Sequence, residues 1–186
     1  MFSWFKKIFT DESEGPSAGK AGPAKPQPHT AKFVASVDAP SSTATTGRGL
    51  VFHADLIPKL LSEHRVVLDI YGRVLKSVEA KDWAGVASLL VQFRKGLQDH
   101  LLDEAVRLYV YLQKSVDDDE SKDLIRGFRS EMEGIGRVVI KTLDRFEDIA
   151  KSDYLQELFE SEWKNLGAVL GDRIAREEKT LYPMYT

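Results

Sequence analysis

The chain has 186 residues, of which 42% are hydrophobic and 30% are charged. This is enough for one globular domain with a substantial core and an additional segment. It has no cysteine, which excludes disulfides, thiolate metal sites and redox thiols. A formal charge of −3, with acids and bases interspersed, argues against nucleic-acid binding. No apolar run is long enough to cross a bilayer. Because nothing indicates an oxidising compartment, we expect a cytoplasmic protein.

The chain begins with MFSWFKKIF, residues 1–9, in which bulky apolar side chains surround a lysine pair. This segment lacks the long apolar region and the cleavage site of a secretory signal. We interpret it as a short anchor that docks on a partner groove or, weakly, on a membrane surface. The alternative is an unstructured start. The residues expected to carry the anchor are Phe2, Trp4, Phe5, Lys6 and Lys7.

Residues 10–49 are rich in Ala, Pro, Gly, Ser, Thr and Lys and contain five of the seven prolines. No apolar period in this stretch could bury one face. The composition therefore predicts a disordered linker. The globular domain is expected to occupy residues 50–186.

From Val51 onward, apolar residues recur at helical period, which predicts four helices joined by short polar connections. Asp82 is a good N-cap for the second helix, and Pro183 ends the fourth. We therefore predict an all-α fold, an antiparallel up-down-up-down four-helix bundle with a disordered N-terminal extension. The four apolar stripes cover approximately residues 57–78, 86–111, 125–146 and 155–181.

Polar side chains interrupt these apolar stripes on three of the four helices. In a bundle, inward-facing His and Glu residues build metal sites, and His-x-x-x-Glu places two ligands one turn apart on the same face. Two histidines with a carboxylate would suit iron. The interrupting residues are His64, His100, Glu104, Arg173 and Glu177.

A metal-free core is the alternative interpretation of the same residues. A single inward histidine such as His64 is often a hydrogen-bonded core residue. Arg173 cannot ligate a cation and would repel one, but it pairs well with carboxylates. With Glu104 and Glu177 facing it, Arg173 could close a polar core without metal.

Other polar and aromatic residues have simpler interpretations. His53 lies near the start of the first helix, where an exposed or capping role is expected. The acidic run at residues 117–120 lacks the glycine and spacing of an EF-hand and is interpreted as a solvated helix start. Four tyrosines are interpreted as core or bundle-end residues. They are Tyr109, Tyr111, Tyr182 and Tyr185.

Four short motifs resemble one known family. They are EHRVVLDIYGRVL around His64, HLLDE, EMEGI at residues 131–135, and DRIAREEKTLYP near the C-terminus. On these motifs, residues 54–184 resemble the hemerythrin-like HHE cation-binding domain.

The resemblance implies a diiron core in which four family ligands match this chain. Met132 and Arg173 stand where the family has two further histidines. The resemblance thus implies a degenerate centre with at most one metal, and it argues against oxygen carriage. The matching ligands are His64, His100, Glu104 and Glu177.

A second resemblance points to another functional class. FRKGLQDHLLDEAVRLYVYL and LGAVLGDRIAREE are similar to the regulator of sigma D family, helical proteins that bind the sigma factor of bacterial RNA polymerase. Two hypotheses follow, neither of them an enzyme. The first is a metal-binding sensory or regulatory bundle that holds iron. The second is an adaptor without a cofactor that binds a sigma factor or another protein partner.

Overall fold

The computed structural model describes residues 44–46 and 50–186. Two π-helical segments, named here πA and πB, interrupt two of the helices. Two 3-10 turns, Ile149–Lys151 and Tyr182–Met184, lie before α5 and after πB. The elements in chain order are β1 (Ala44–Thr46), β2 (Leu50–Phe52), α1 (Leu56–Glu79), α2 (Trp83–Asp103), πA (Glu104–Leu108), α3 (Tyr109–Ser115), α4 (Asp119–Arg145), α5 (Asp153–Arg176) and πB (Glu177–Leu181).

Three helices begin at side chains that satisfy free backbone N–H groups. Asp82 accepts a hydrogen bond from the backbone N–H of Gly85 at 2.9 Å, as expected for the predicted N-cap. Asp118, in the acidic run, accepts from Ser121 at 2.7 Å and caps α4. Ser152 caps α5. The acidic run thus starts a helix, as predicted from its composition.

The long helices form four amphipathic rods, because α2, πA and α3 run on as one helix and πB continues α5. This confirms the predicted all-α four-helix fold, and the three-residue connection between α1 and α2 is consistent with antiparallel order. One end of the core is a large apolar cluster. It contains Leu56, Leu60, Leu108, Tyr111, Leu112, Ile125, Phe128, Leu181 and Tyr185.

Near the other end of the helices lies a cluster of aromatic rings around Trp163, which is fully buried. Trp163 packs edge-on against Phe93 at 4.9 Å and stacks on Tyr71 at 5.3 Å between ring centroids. Its indole N–H donates to the backbone carbonyl of Tyr71 at 3.3 Å. These two apolar regions fix the helices on either side of the polar residues that lie midway along them.

A short β-hairpin precedes the bundle: β1 lies within the stretch predicted as a linker, and β2 lies before the first predicted helix. The strands pair antiparallel, with Thr45 opposite Val51. The Phe52 ring of β2 stacks on Tyr185 at 5.0 Å and lies 5.8 Å from Tyr111. This contact attaches β2 to the end of the bundle.

The predicted anchor and most of the predicted linker lie outside the described residues. This applies to Phe2, Trp4, Phe5 and the Lys6–Lys7 pair. Among the described residues, the helices contain no stretch with the length and hydrophobicity of a transmembrane segment.

Candidate metal centre

Five polar side chains are buried in the middle of the bundle, between the two apolar regions. None exposes more than 3% of its surface. Burial of ionisable groups costs several kcal/mol unless partners compensate, so the contacts of this cluster decide its chemistry. The five are His64 on α1, His100 on α2, Glu104 in πA, Arg173 on α5 and Glu177 in πB.

The two histidines face each other across the centre. Their Nε2 atoms are 3.1 Å apart. The outer nitrogen of each ring meets a carboxylate: His64 Nδ1 lies 2.9 Å from Glu178, and His100 Nδ1 lies 3.1 Å from Glu63. A carboxylate accepts hydrogen bonds, so these contacts favour the proton on Nδ1 of both rings. Both Nε2 lone pairs then point into the same space.

The two buried carboxylates each use one oxygen and leave the other without a hydrogen bond. Tyr182 donates to Oε1 of Glu104 at 3.1 Å, and Arg173 Nε donates to Oε1 of Glu177 at 2.6 Å. Among the described residues, no donor reaches Oε2 of either side chain. Leaving a buried acceptor unsatisfied costs about 1–3 kcal/mol, and more when it is charged.

These free oxygens lie beside the facing imidazole nitrogens. Oε2 of Glu177 is 3.4 Å from His64 Nε2, and Oε2 of Glu104 is 3.9 Å from His100 Nε2. His64, His100 and Glu177 each offer a ligand atom, and these atoms lie within 4.8 Å of one another. The Tyr182 hydroxyl also lies 3.2 Å from His64 Nε2, but its single proton serves Glu104. The donor set therefore fits a cation, and two imidazoles with carboxylate suit iron or zinc.

A cavity of about 20 Å³ lies at this point. That volume is about the size of one water molecule or ion. His64, His100 and Glu177 line it, together with Met132 and the Arg173 side chain. Met132 is 8% exposed and contributes an apolar thioether to the wall.

Arg173 donates hydrogen bonds from all three guanidinium nitrogens, and none of these bonds goes to Glu104. Besides Glu177, NH1 donates to Glu131 at 3.0 Å and NH2 donates to the Tyr109 hydroxyl at 2.8 Å. The guanidinium also lies 4.6 Å from the centre of the Phe128 ring. The proposed pairing of Arg173 with Glu177 is therefore present. The second expected partner, Glu104, is instead held by Tyr182.

Two tyrosines connect the helices crosswise at the π segments. The backbone N–H of Tyr109 bonds to the carbonyl of Glu104, and that of Tyr182 bonds to Glu177, so each tyrosine follows its glutamate by one π turn. Each hydroxyl then reaches the other helix: Tyr182 meets Glu104, and Tyr109 meets Arg173. Single π turns are frequent at functional sites because they redirect the residues that follow.

The pKa values of the two histidines in the centre shift in opposite directions. Burial lowers the pKa of His64, but the neighbouring carboxylates of Glu177 and Glu178 outweigh it, and its pKa lies above the usual value. Burial, together with the neighbouring His64, lowers the pKa of His100 to about 4. Burial and the charge of Glu177 raise the pKa of Glu104 well above its usual value. His100 thus stays neutral at pH 7, as a metal ligand must.

A family model of the hemerythrin HHE cation-binding domain matches residues 55–185, most of the chain. The chain belongs to the hemerythrin HHE cation-binding domain family. The first resemblance drawn from the sequence is thereby confirmed. No curated protein and no solved structure matched the chain, and none of the comparisons supports the resemblance to the regulator of sigma D family.

The HHE domain brings all four predicted ligands into one buried cluster, with the two substituted positions, Met132 and Arg173, on the same cavity. That they hold a metal stays a prediction. His53 is not part of the cluster: its backbone N–H donates to the Tyr185 hydroxyl, and its carbonyl accepts from Leu56.

Sequence reasoning missed five residues of this HHE centre. Glu63 and Glu178 are direct sequence neighbours of predicted ligands, which was the available signal. Tyr109 and Tyr182 were assigned to the core or the bundle end, because the helical period gives no sign of a π turn. Glu131 lies on the half-exposed side of α4, where the apolar period does not mark it.

Proposed function

We propose that this HHE domain is a regulatory protein, not an enzyme, whose core holds one divalent metal ion, preferably iron. The observation that carries the proposal is the excess of buried acceptors at the centre. Two carboxylate oxygens without a hydrogen bond and two facing imidazole nitrogens converge there. A cation would satisfy all of them at once.

The ligands of the proposed ion are His64 and His100 through Nε2, Glu177 through Oε2, and Glu104 as a fourth group. Glu178 and Glu63 would hold the two imidazoles in the required tautomer. Tyr182 would fix the orientation of Glu104. A bound ferrous ion would supply redox chemistry through which such a bundle responds to oxidants.

A second ion is disfavoured by charge and by ligand chemistry. Arg173 places a permanent positive charge 2.6 Å from Glu177, the carboxylate that a second metal would need to share. Met132 supplies no imidazole, and a thioether is a poor ligand for ferric or ferrous iron in an oxygen-rich site. The cavity of about 20 Å³ also has room for one ion only.

The proposal is tested by measuring the melting temperature of the full chain with and without Fe²⁺ under anaerobic conditions. An ion present at 100 times its dissociation constant should stabilise the fold by roughly 2.7 kcal/mol, which corresponds to a rise of about 5–10 °C. His100→Gln and Glu104→Gln should each lose most of this rise. His53→Gln is the matched control, since no predicted ligand contacts that residue, and it should keep the full rise.

Circular dichroism would verify that each variant is folded before iron is added. A rise that persists undiminished in both His100→Gln and Glu104→Gln would place the iron elsewhere and contradict the proposal. So would the absence of any rise in the unmodified chain, with Fe²⁺, Zn²⁺ and Mn²⁺ alike.

A further inference from the structure

A groove of about 680 Å³ opens on the outside of the bundle, between the helix that contains πA and helix α4. Its surface is mostly apolar. The apolar side chains that line it include Leu101, Leu102, Ala105, Met132 and Ile140. Leu102 is 61% exposed at its edge, so water covers part of an apolar concave surface.

Small residues line the groove on both of the helices that form it. Ala105 of πA is exposed, and Gly136 of α4 presents no side chain. A Cβ at Gly136 would lie 3.1 Å from a methyl group of Leu101. A larger residue at either position would therefore fill the space between the helices.

The rim of the groove is positively charged. Arg137 lines it, beside Arg129 and one carboxylate, Glu133. Glu133 already pairs with Arg129 at 3.1 Å. Arg137 is exposed and forms no ion pair with any residue in the described part of the chain. An apolar floor with a basic rim is complementary to an anion that carries an apolar body.

We propose that this groove binds a small organic anion with an apolar body, such as a medium-chain carboxylate. Its volume falls within the range of about 300–1,000 Å³ that is typical of small-molecule sites. The apolar body would cover Leu102, Ala105 and Ile140, and the carboxylate would accept hydrogen bonds from Arg137. This binding does not require the metal proposed above, so either proposal can fail without the other.

The groove and the metal centre share part of their walls. Leu101, Met132 and Gly136 line both the groove and the internal cavity of about 20 Å³. Tyr109 lines the groove as well, and its hydroxyl accepts a hydrogen bond from Arg173. An anion in the groove would therefore contact side chains that form the outer boundary of the centre.

Binding can be measured on the full metal-free chain by displacement of 8-anilinonaphthalene-1-sulfonate, a fluorescent apolar anion. Octanoate should displace the probe at concentrations about tenfold lower than 1-octanol, because only the carboxylate can accept a charge-assisted hydrogen bond from Arg137. The two competitors share their apolar chain and differ in the anionic group. Equal displacement by both would overturn the proposal.

Two pairs of variants locate the site. Ala105→Phe fills the groove and should abolish octanoate binding, whereas Ala168→Phe, at an exposed position of α5, should leave it unchanged. Arg137→Glu should weaken octanoate binding about tenfold or more, with Arg126→Glu, exposed on the same helix, as its control. Circular dichroism would establish that all four variants are folded.

Two outcomes would contradict the proposal. Octanoate affinity that is unaffected by both Ala105→Phe and Arg137→Glu would place the ligand elsewhere. A concentration-dependent dimer in sedimentation velocity that Ala105→Phe dissociates would show that a second copy of the chain covers the groove, which would also overturn the proposal.

Discussion

At the scale of single residues, Arg173 determines the charge of the centre. Its guanidinium is 1% exposed and balances Glu177 inside the bundle and Glu131 at the edge. Burial acts to lower its pKa, but the nearby Glu177 reverses this effect, so the pKa of Arg173 is raised. The centre therefore contains a fixed cation before any metal is added.

Removing this cation should destabilise the fold in metal-free buffer. Arg173→Ala leaves Glu177 without its donor and should cost roughly 3–5 kcal/mol of unfolding free energy, measured by urea denaturation. Arg176→Ala is the matched control, because Arg176 contacts the same Glu131 but is 41% exposed. We expect it to cost about 1 kcal/mol or less. Equal losses in the two variants would contradict a special role for Arg173.

Glu131 should make stability depend on pH in the acidic range. The hydrogen bond from Arg176 outweighs burial and lowers the pKa of Glu131 below its ordinary value of 4.5. A lowered folded-state pKa means that its stabilisation is complete above pH 4.5 and is lost as pH falls through the folded value. Because Glu131 is 39% exposed, solvent screening limits the effect to about 1 kcal/mol or less.

The measurement compares the unfolding free energy of the unmodified chain with that of Glu131→Gln at a series of pH values. The difference should be constant between pH 6 and 8 and should shrink below about pH 4.5. A difference that is independent of pH down to pH 3 would show that the Glu131 carboxylate is not stabilised by the two arginines.

At the scale of the elements, the two π segments connect helix geometry to the centre. Each begins at a buried glutamate and ends one residue before a tyrosine that reaches the opposite helix. The 3.6-residue period was sufficient to predict that His100, Glu104 and Glu177 face inward. It could not predict the contacts of Tyr182, because a π turn depends on backbone hydrogen bonds that the apolar pattern does not encode.

Close packing between Gly167 of α5 and Tyr71 of α1 allows a test of how these two helices pack. A Cβ at Gly167 would overlap the ring of Tyr71, which is held in place by stacking on Trp163. Gly167→Ala should therefore destabilise the fold by about 1–3 kcal/mol. Gly171, one turn later, has nothing within 4 Å of the same position, so Gly171→Ala should be neutral or stabilise by up to about 1 kcal/mol.

Thermal denaturation of the two single variants decides this point. Since both substitutions are Gly→Ala in the same helix, the gain in helix propensity cancels and the difference reports the contact with Tyr71. Equal melting temperatures would mean that Tyr71 does not pack against Gly167.

In the whole molecule, the bundle is held together by apolar packing at both ends, and the polar centre lies between these two regions. The sequence was sufficient for the fold and for the family, because apolar period and ligand spacing are local patterns. The sequence did not predict that the metal centre and the groove share part of their walls. The shared wall depends on how Gly136 and Leu101 meet across two helices that are distant in the sequence.

We expect one metal ion, and not two, in this HHE core. The most direct test is elemental analysis of the purified full chain after anaerobic loading with Fe²⁺ and removal of weakly bound metal. We expect about one iron per chain, and we expect Met132→His combined with Arg173→His, which removes the fixed cation and adds two imidazoles, to raise this number towards two. Two tightly held ions in the unmodified chain, or no retained ion at all, would contradict the account.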